Sequence, residues 1–314
     1  MDRAEVLRFL ASVHADGDAS VLVTVGAVEG SSMRSVGTIM GVAQDGSFSG
    51  SLSGGCIENA VVAEALEALE AGEPRVVRYG AGSPYLDIRL PCGGGLDLHF
   101  APLGNCDFSA QCLASEQARE PFTILTGPEG ASHARGWQAN SFDPASGIGA
   151  FGQWPAVRLQ IIGHGAGVEA LARLAATMGC EIAVLTPDER IASSLREAGH
   201  TCTVLKRSNE TGLLQSDLFD AFVFLFHDHD WEIALIERAL NLPHFYLGAM
   251  GGRKAHAMRE QALLARGVKK ACIDSIKAPI GVFHSSRDPQ TLALSTLAQV
   301  IRAFQDKDFE AALG

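Results

Sequence analysis

The sequence predicts an α/β protein in two parts, an N-terminal α/β domain followed by a domain built on a doubly wound parallel sheet. Three observations carry this expectation. From Val157 onward, short β-branched strands alternate with helical apolar stripes, the pattern of repeated βαβ units. A glycine turn, Gly163-His164-Gly165-Ala166-Gly167, joins the first of those strands to the first helix, which makes the domain Rossmann-like. The 314 residues suffice for two cores of ordinary size.

Taken in order, Val6, Phe9, Leu10 and Val13 give an opening amphipathic helix. Residues 20–28 read as a strand that runs into the polar loop Glu29-Gly30-Ser31-Ser32-Met33-Arg34-Ser35-Val36-Gly37. Strands over 38–42 and 47–52 are joined by Asp45-Gly46, a hairpin signal. Ser53-Gly54-Gly55-Cys56-Ile57-Glu58 then opens a helix whose stripe is Ile57, Val61, Ala65, Leu66 and Leu69, ending near Gly72. Residues 76–79 form a strand. The stretch 86–90 leads to Pro91-Cys92-Gly93-Gly94-Gly95, and 96–100 alternates as a half-buried strand. A helix over 108–119 and a strand over 122–126 close a first domain, 1–126. Residues 127–155 are rich in Gly, Ser, Ala, Pro and Asn without a period, and are expected to be a linker with a local hairpin. The second domain is then 156–314. Its strands are expected at 157–162, 182–185, 201–205, 221–226 and 244–247. Its helices are expected on the stripe Val168, Leu171, Ala172, Ala175 and Met178, and over 191–198, 230–240, 253–266 and 288–304.

The net charge of −11 argues against a general nucleic-acid binder. Residues 1–15 carry Asp2, Arg3, Glu5 and Arg8 and do not read as a secretory leader, and no apolar run is long enough for a bilayer. Seven cysteines at scattered spacing fit a reducing compartment. The expectation is a soluble, cytoplasmic protein without a membrane partner.

The stretch Ser53-Gly54-Gly55 brings backbone N–H groups to a helix start, and the first turn carries Cys56 and Glu58. Helix N-termini attract anions and stabilise thiolates, so Cys56 is placed to meet a phosphate, a metal or an electrophile. The alternative is a Ser53 cap, a glycine turn and a packed cysteine. Cys92, followed by Gly93, is the second cysteine in a glycine-rich loop. Two such thiols, Cys56 and Cys92, suit a soft metal or a sulfur-bearing cofactor, although neither lies in a C-x-x-C pair. The other five cysteines read as packing or surface thiols.

Gly163 and Gly165 permit close approach of a phosphate to the following helix. The acidic residue that would take a ribose hydroxyl, Asp188, stands two positions late behind Pro187. NAD(P) binding, and with it an oxidoreductase, is therefore the alternative function. His227-Asp228-His229-Asp230 follows a strand at its carboxyl edge, placed for a ligand cleft or a metal, or simply a capped helix start with exposed histidines. Arg253 and Lys254 follow Gly251-Gly252 at another helix start, where cations oppose the helix dipole and an anion would offset them. A nucleotidyltransferase would need a triphosphate loop of the G-x-x-x-x-G-K-[ST] type, and none is present.

In this order the motifs resemble the XdhC/CoxI family, the maturation factors of xanthine dehydrogenase and related molybdenum hydroxylases. The resemblance rests on Glu29-Gly30-Ser31-Ser32, Gly50-Ser51-Leu52-Ser53-Gly54-Gly55-Cys56-Ile57-Glu58, Pro91-Cys92-Gly93-Gly94, the Gly163-x-Gly165 turn, His227-Asp228-His229-Asp230, Tyr246-Leu247-Gly248-Ala249 and Ala278-Pro279-Ile280-Gly281. It implies a chaperone that binds molybdenum cofactor (molybdopterin), supports its sulfuration by a cysteine desulfurase and delivers it to a xanthine dehydrogenase-type molybdoenzyme. It makes Cys56 and Cys92 the cofactor-proximal residues. A homodimer stays open.

Overall fold

The computed structural model describes residues 3–31, 34–55, 57–83, 93–104, 107–283 and 286–313, and the chain forms two compact units, 1–155 and 156–314. The first unit contains α1 (Arg3–Ala15), β1 (Ser20–Glu29), β2 (Ile39–Ala43), β3 (Phe48–Ser49), α2 (Glu58–Ala71), β4 (Arg75–Gly80) and β5 (Gly95–Leu103). It continues with α3 (Phe108–Ala118), β6 (Phe122–Gly127), β7 (Gly130–Arg135), β8 (Ser141–Phe142) and β9 (Gly149–Gln153). Its main sheet has the order β3-β2-β1-β5-β4 and is antiparallel throughout. Both faces of β1 are buried. Val21, Val23 and Val25 pack with Ile57, Val61, Ala65 and Ala68 at the start and along the stripe of α2. Leu22 points the other way, into a core with Val6, Leu7 and Leu10 of α1 and with Phe122, Ile124 and Phe151. Each such side chain contributes about 1.5–3 kcal/mol by leaving water. Helix α2 stops because Gly72 turns left-handed (φ 68°) and its N–H closes on Ala68 and Leu69 carbonyls.

Two expectations fail here. The strand over 47–52 shrinks to Phe48–Ser49, and the residues up to α2 form a loop instead. The expected linker 127–155 is a folded part of the first unit: β7 and β9 pair with β6, and β8 pairs with β9, in an antiparallel sheet of order β7-β6-β9-β8. Its glycines are slots for aromatic rings. A Cβ at Gly149 would stand 2.8 Å from the Phe142 ring and 2.9 Å from that of Phe151. Small residues thus replace the branched ones that normally announce a strand.

Strand directions gather the motif loops of the first unit. β1 leaves its sheet at Glu29, opposite the entry of β5 at Gly95 and the exit of β4 at Gly80. β3 runs in the sense of β1, so the chain leaves it at Ser49, level with Leu22, heading toward that edge.

The second unit contains β10 (Arg158–Gly163), α4 (Ala166–Thr177), β11 (Glu181–Thr186), α5 (Glu189–Glu197), β12 (Thr201–Val204), β13 (Asp220–Leu225), α6 (Ile233–Leu240) and β14 (Tyr246–Ala249), then α7 (Arg253–Ala265), α8 (Lys270–Asp274), α9 (Pro289–Gln305) and α10 (Phe309–Leu313). The sheet is parallel, in the order β12-β11-β10-β13-β14. One face packs α4 and α9 through Val168, Leu171 and Leu297. The other packs α6, α7 and α8 through Ile236, Leu263 and Ile273. The order reverses at β10, so the carboxyl ends of β10 and β13 flank the topological switch point where α/β sheets bind ligands. Among the described residues no helix is long and apolar enough to cross a membrane.

Candidate functional site

In the first unit the structure gives the 51–58 segment a different logic from the expected anion cradle. The Glu58 carboxylate folds back under the loop and is 6% exposed. Its Oε1 accepts from Ser51 Oγ (2.8 Å), Leu52 N (3.1 Å) and Ser53 N (2.9 Å). Its Oε2 accepts from Ser53 Oγ (2.7 Å), Gly55 N (2.9 Å) and Ile57 N (3.2 Å). Gly54 N donates to Ser51 Oγ at 3.1 Å. Burial alone would raise the pKa of this carboxyl, but the donors outweigh it and hold the pKa at about 2. The N–H groups of Ser53, Gly54 and Gly55, expected to meet a ligand phosphate, are therefore spent on the protein's own side chains. Glu58, expected to touch a cofactor, is instead the anchor of the loop that carries Cys56. Ser53 is not the helix cap; Ile57 holds that position without a side-chain cap.

Cys56 and Cys92 lie outside the described residues, as does the expected approach to the second cysteine, 86–90. Their flanks are described. A Cβ at Gly55 or at Gly93 would meet nothing within 4 Å, so each of these flanking glycines borders open space. Gly94 is the opposite case: a Cβ there would stand 2.5 Å from the Glu29 carbonyl oxygen and 2.8 Å from that of Ser31. Gly94 and the Glu29-Gly30-Ser31 segment therefore pack backbone to backbone. Arg78 ties the same corner together. It pairs with Asp97 at 2.9 Å, with Glu29, and donates to the Ala81 carbonyl at 2.7 Å. Sequence reasoning missed Arg78 and Asp97, whose partners come from three separate segments.

In the second unit a cavity of about 300 Å³ opens at the carboxyl edge. His164, Gly165 and Gly167 of the glycine turn, His227 beyond β13, Met250 beyond β14 and Arg287 before α9 all line it. The His164 and His227 rings meet edge to face, 5.9 Å between centroids. Gly165 takes φ 86°, and a Cβ there would enter open space, so its backbone is accessible. Gly163 does not line the cavity. A Cβ on it would stand 2.5 Å from the Leu225 carbonyl oxygen, so this glycine serves the contact of β10 with β13. Arg253, exposed at the first position of α7, is not in the lining either. Sequence reasoning passed over Arg287; the signal was an arginine beside the Asp288-Pro289 helix start.

One wall of the cavity is fixed by a buried ion pair. Arg259 of α7 and Glu232 at the start of α6 are both fully buried, with a 2.9 Å hydrogen bond from Nε, and Arg259 Nη2 donates to the Met250 carbonyl at 2.8 Å. Asp228 accepts from Asp230 N at 3.0 Å and shapes the turn at His227. No cluster of three or more metal-ligating side chains occurs among the described residues. On the β11 side, Asp188 caps α5 by accepting from Arg190 N and Ile191 N at 2.9 and 3.2 Å, so its carboxylate is not turned to a ribose. A larger hollow, about 530 Å³, lies over the sheet near β11 and β12, where the connection to β13 carries only a three-residue 3-10 turn in place of a helix. Its cation, Arg158, is already paired with the fully buried Asp220 at 2.6 Å, and it lies away from the glycine turn. The Cys180 thiol, also there, is pushed up to about 11 by burial and is no thiolate at neutral pH.

The XdhC Rossmann domain model matches residues 159–300, and the XdhC and CoxI family model matches residues 13–80. The molybdenum cofactor insertion chaperone PaoD of Escherichia coli K12 is 34% identical, over 98% of this chain and 91% of PaoD. YqeB of the same organism, an uncharacterised protein, is 25% identical over 83% of this chain and 39% of YqeB. A solved structure from Bacillus halodurans, described as a xanthine dehydrogenase, superposes with a TM-score of 0.79 at 21% identity, over 98% of this chain and 97% of that one. That likeness establishes the fold. With the full-length relationship to PaoD and the two matched domains, it follows that the chain belongs to the XdhC/CoxI family.

Proposed function

We propose that this protein is a carrier of molybdenum cofactor that supports sulfuration of its cargo by a cysteine desulfurase and delivers it to a xanthine dehydrogenase-type molybdoenzyme. The cofactor is cargo rather than a resident group: a pterin with a phosphate, and a dithiolene around molybdenum. The observation that carries the reading is the common edge of the first unit. The described segments flanking Cys92 leave and rejoin the main sheet there, at Gly80 and Gly95, and the chain toward Cys56 leaves β3 heading the same way. Next to each cysteine in sequence stands a glycine at which an added Cβ would meet nothing within 4 Å. Thiolates are soft ligands suited to such a metal, and neighbouring thiols suit a sulfur-rich cargo. Kinship to a cofactor insertion chaperone supports the same reading.

The test is metal and pterin analysis of gently purified protein. Wild type retains molybdenum and pterin, and Cys56→Ala and Cys92→Ala each lower the occupancy. A double variant with wild-type occupancy would remove the thiols from the mechanism. Wild-type protein that takes up no cofactor when mixed with it would end the carrier reading altogether.

A further inference from the structure

We propose that the carboxyl-edge cavity of the second unit binds a phosphate-bearing small molecule no larger than a mononucleotide, its phosphate held between the α4 turn and Arg287. This assignment stands on the second unit alone and does not rest on the cargo reading. Four chain segments converge on the cavity, and the groups they bring favour an anion. Arg287 makes no ion pair among the described residues. His164 and His227 line the same space, and their ring nitrogens can supply N–H donors. The one lining carboxylate, Asp288, is engaged as the cap of α9, accepting from Thr291 N at 2.8 Å. No side chain caps α4, and Gly165 leaves its N-terminus bare of Cβ atoms. An arginine, two imidazoles and an uncapped helix start thus face one hollow in a chain whose net charge is −11.

The size limit comes from the other half of the crevice. Among the described residues the lining comes from the ends of β10, β13 and β14 and from the starts of α4 and α9, and none comes from beyond β11 or β12. A dinucleotide places its second nucleoside over that absent half, where an acidic residue takes the ribose hydroxyls. Here Asp188 is occupied as a helix cap. A volume of about 300 Å³ is also at the small end for ligand pockets.

Isothermal titration of the full chain with inorganic phosphate, inorganic pyrophosphate, AMP, UMP and NADH tests this. Saturable binding of AMP or UMP is expected, weakened about tenfold or more in Arg287→Ala, the loss of one charge-assisted contact. His227→Ala weakens it as well. Pyrophosphate or phosphate binding without mononucleotide binding supports the phosphate subsite and assigns it to a free phosphate ligand. The proposal is overturned if no probe binds at millimolar concentration, or if affinity is unchanged in both variants. NADH binding at least about tenfold tighter than AMP overturns the size limit. Titrations that fail while wild-type protein still retains molybdenum leave the carrier reading untouched, so the two failures are distinguishable.

Discussion

Replacing Glu58 by glutamine tests the anchor of the Cys56 loop most directly. The substitution keeps the side chain's shape, but it turns an amide NH₂ toward hydroxyl and backbone N–H donors that need an acceptor. In the folded protein the carboxyl pKa lies at about 2, against 4.5 without the fold. At about 1.4 kcal/mol per tenfold, that difference stabilises the first unit by about 3 kcal/mol at neutral pH. The sign follows from the lowered pKa. The stabilisation is complete above the unfolded value and is lost as pH falls through 4.5 toward 2; at pH 3 about 1.4 kcal/mol remains. For a unit of this size, the loss at pH 7 lowers the unfolding midpoint by about 6–12 °C. Near-ultraviolet circular dichroism suits the assay, because Trp137 and Trp154 of the first unit stack with centroids 4.7 Å apart and report its packing. Midpoints of wild type and Glu58→Gln are compared at pH 7 and at pH 3, and the gap should narrow by more than half in acid. A variant that melts with wild type at pH 7, or a gap that does not change with pH, would refute the reasoning.

Other expectations are sharp enough to fail. Gly163→Ala forces a Cβ to within 2.5 Å of the Leu225 carbonyl oxygen, so β10 and β13 must part; urea unfolding should show a loss of about 1–3 kcal/mol. Arg259→Leu leaves Glu232 buried without its cation and should cost about 3–5 kcal/mol, while the double variant Arg259→Leu/Glu232→Leu should recover most of it. A single variant as stable as wild type would show that the pair does not hold the Met250 wall. Cofactor occupancy in Cys56→Ala and Cys92→Ala, and mononucleotide affinity in Arg287→Ala, bear on the two proposed sites.

The second unit was legible because its signals are local. Each strand is a short apolar run, the longer helices were expected at their places, and the turn at Gly163–Gly165 joins the first pair, while α8 and α10, five residues each, were not expected. The β7–β9 region was not legible, because Gly149 and Gly152 make room for rings that only the folded sheet brings to them. The candidate sites divide the same way. Glycine-rich helix starts are visible in sequence, but what their N–H groups touch is not. Ser53, Gly54 and Gly55 read as an open anion cradle until Glu58, a few residues on, proves to fill it. A glutamate three residues after Gly55 was the available sign, since a side chain at that spacing reaches back to the helix start. At Gly163 the reverse holds: a residue that reads as a phosphate contact is a packing contact, and the open position is Gly165.

The carboxylate beneath the Cys56 loop also bears on the timing of any encounter. A loop that waits for a ligand's charge to order it must give up its freedom at the moment of binding, and affinity falls by that entropy. Here the freedom is surrendered when the chain folds, because Glu58 supplies the negative charge in advance. A ligand of the proposed kind would meet flanking backbone that is already in place. For the proposed cargo, a grip assembled beforehand loses no affinity to the ordering of its own loop.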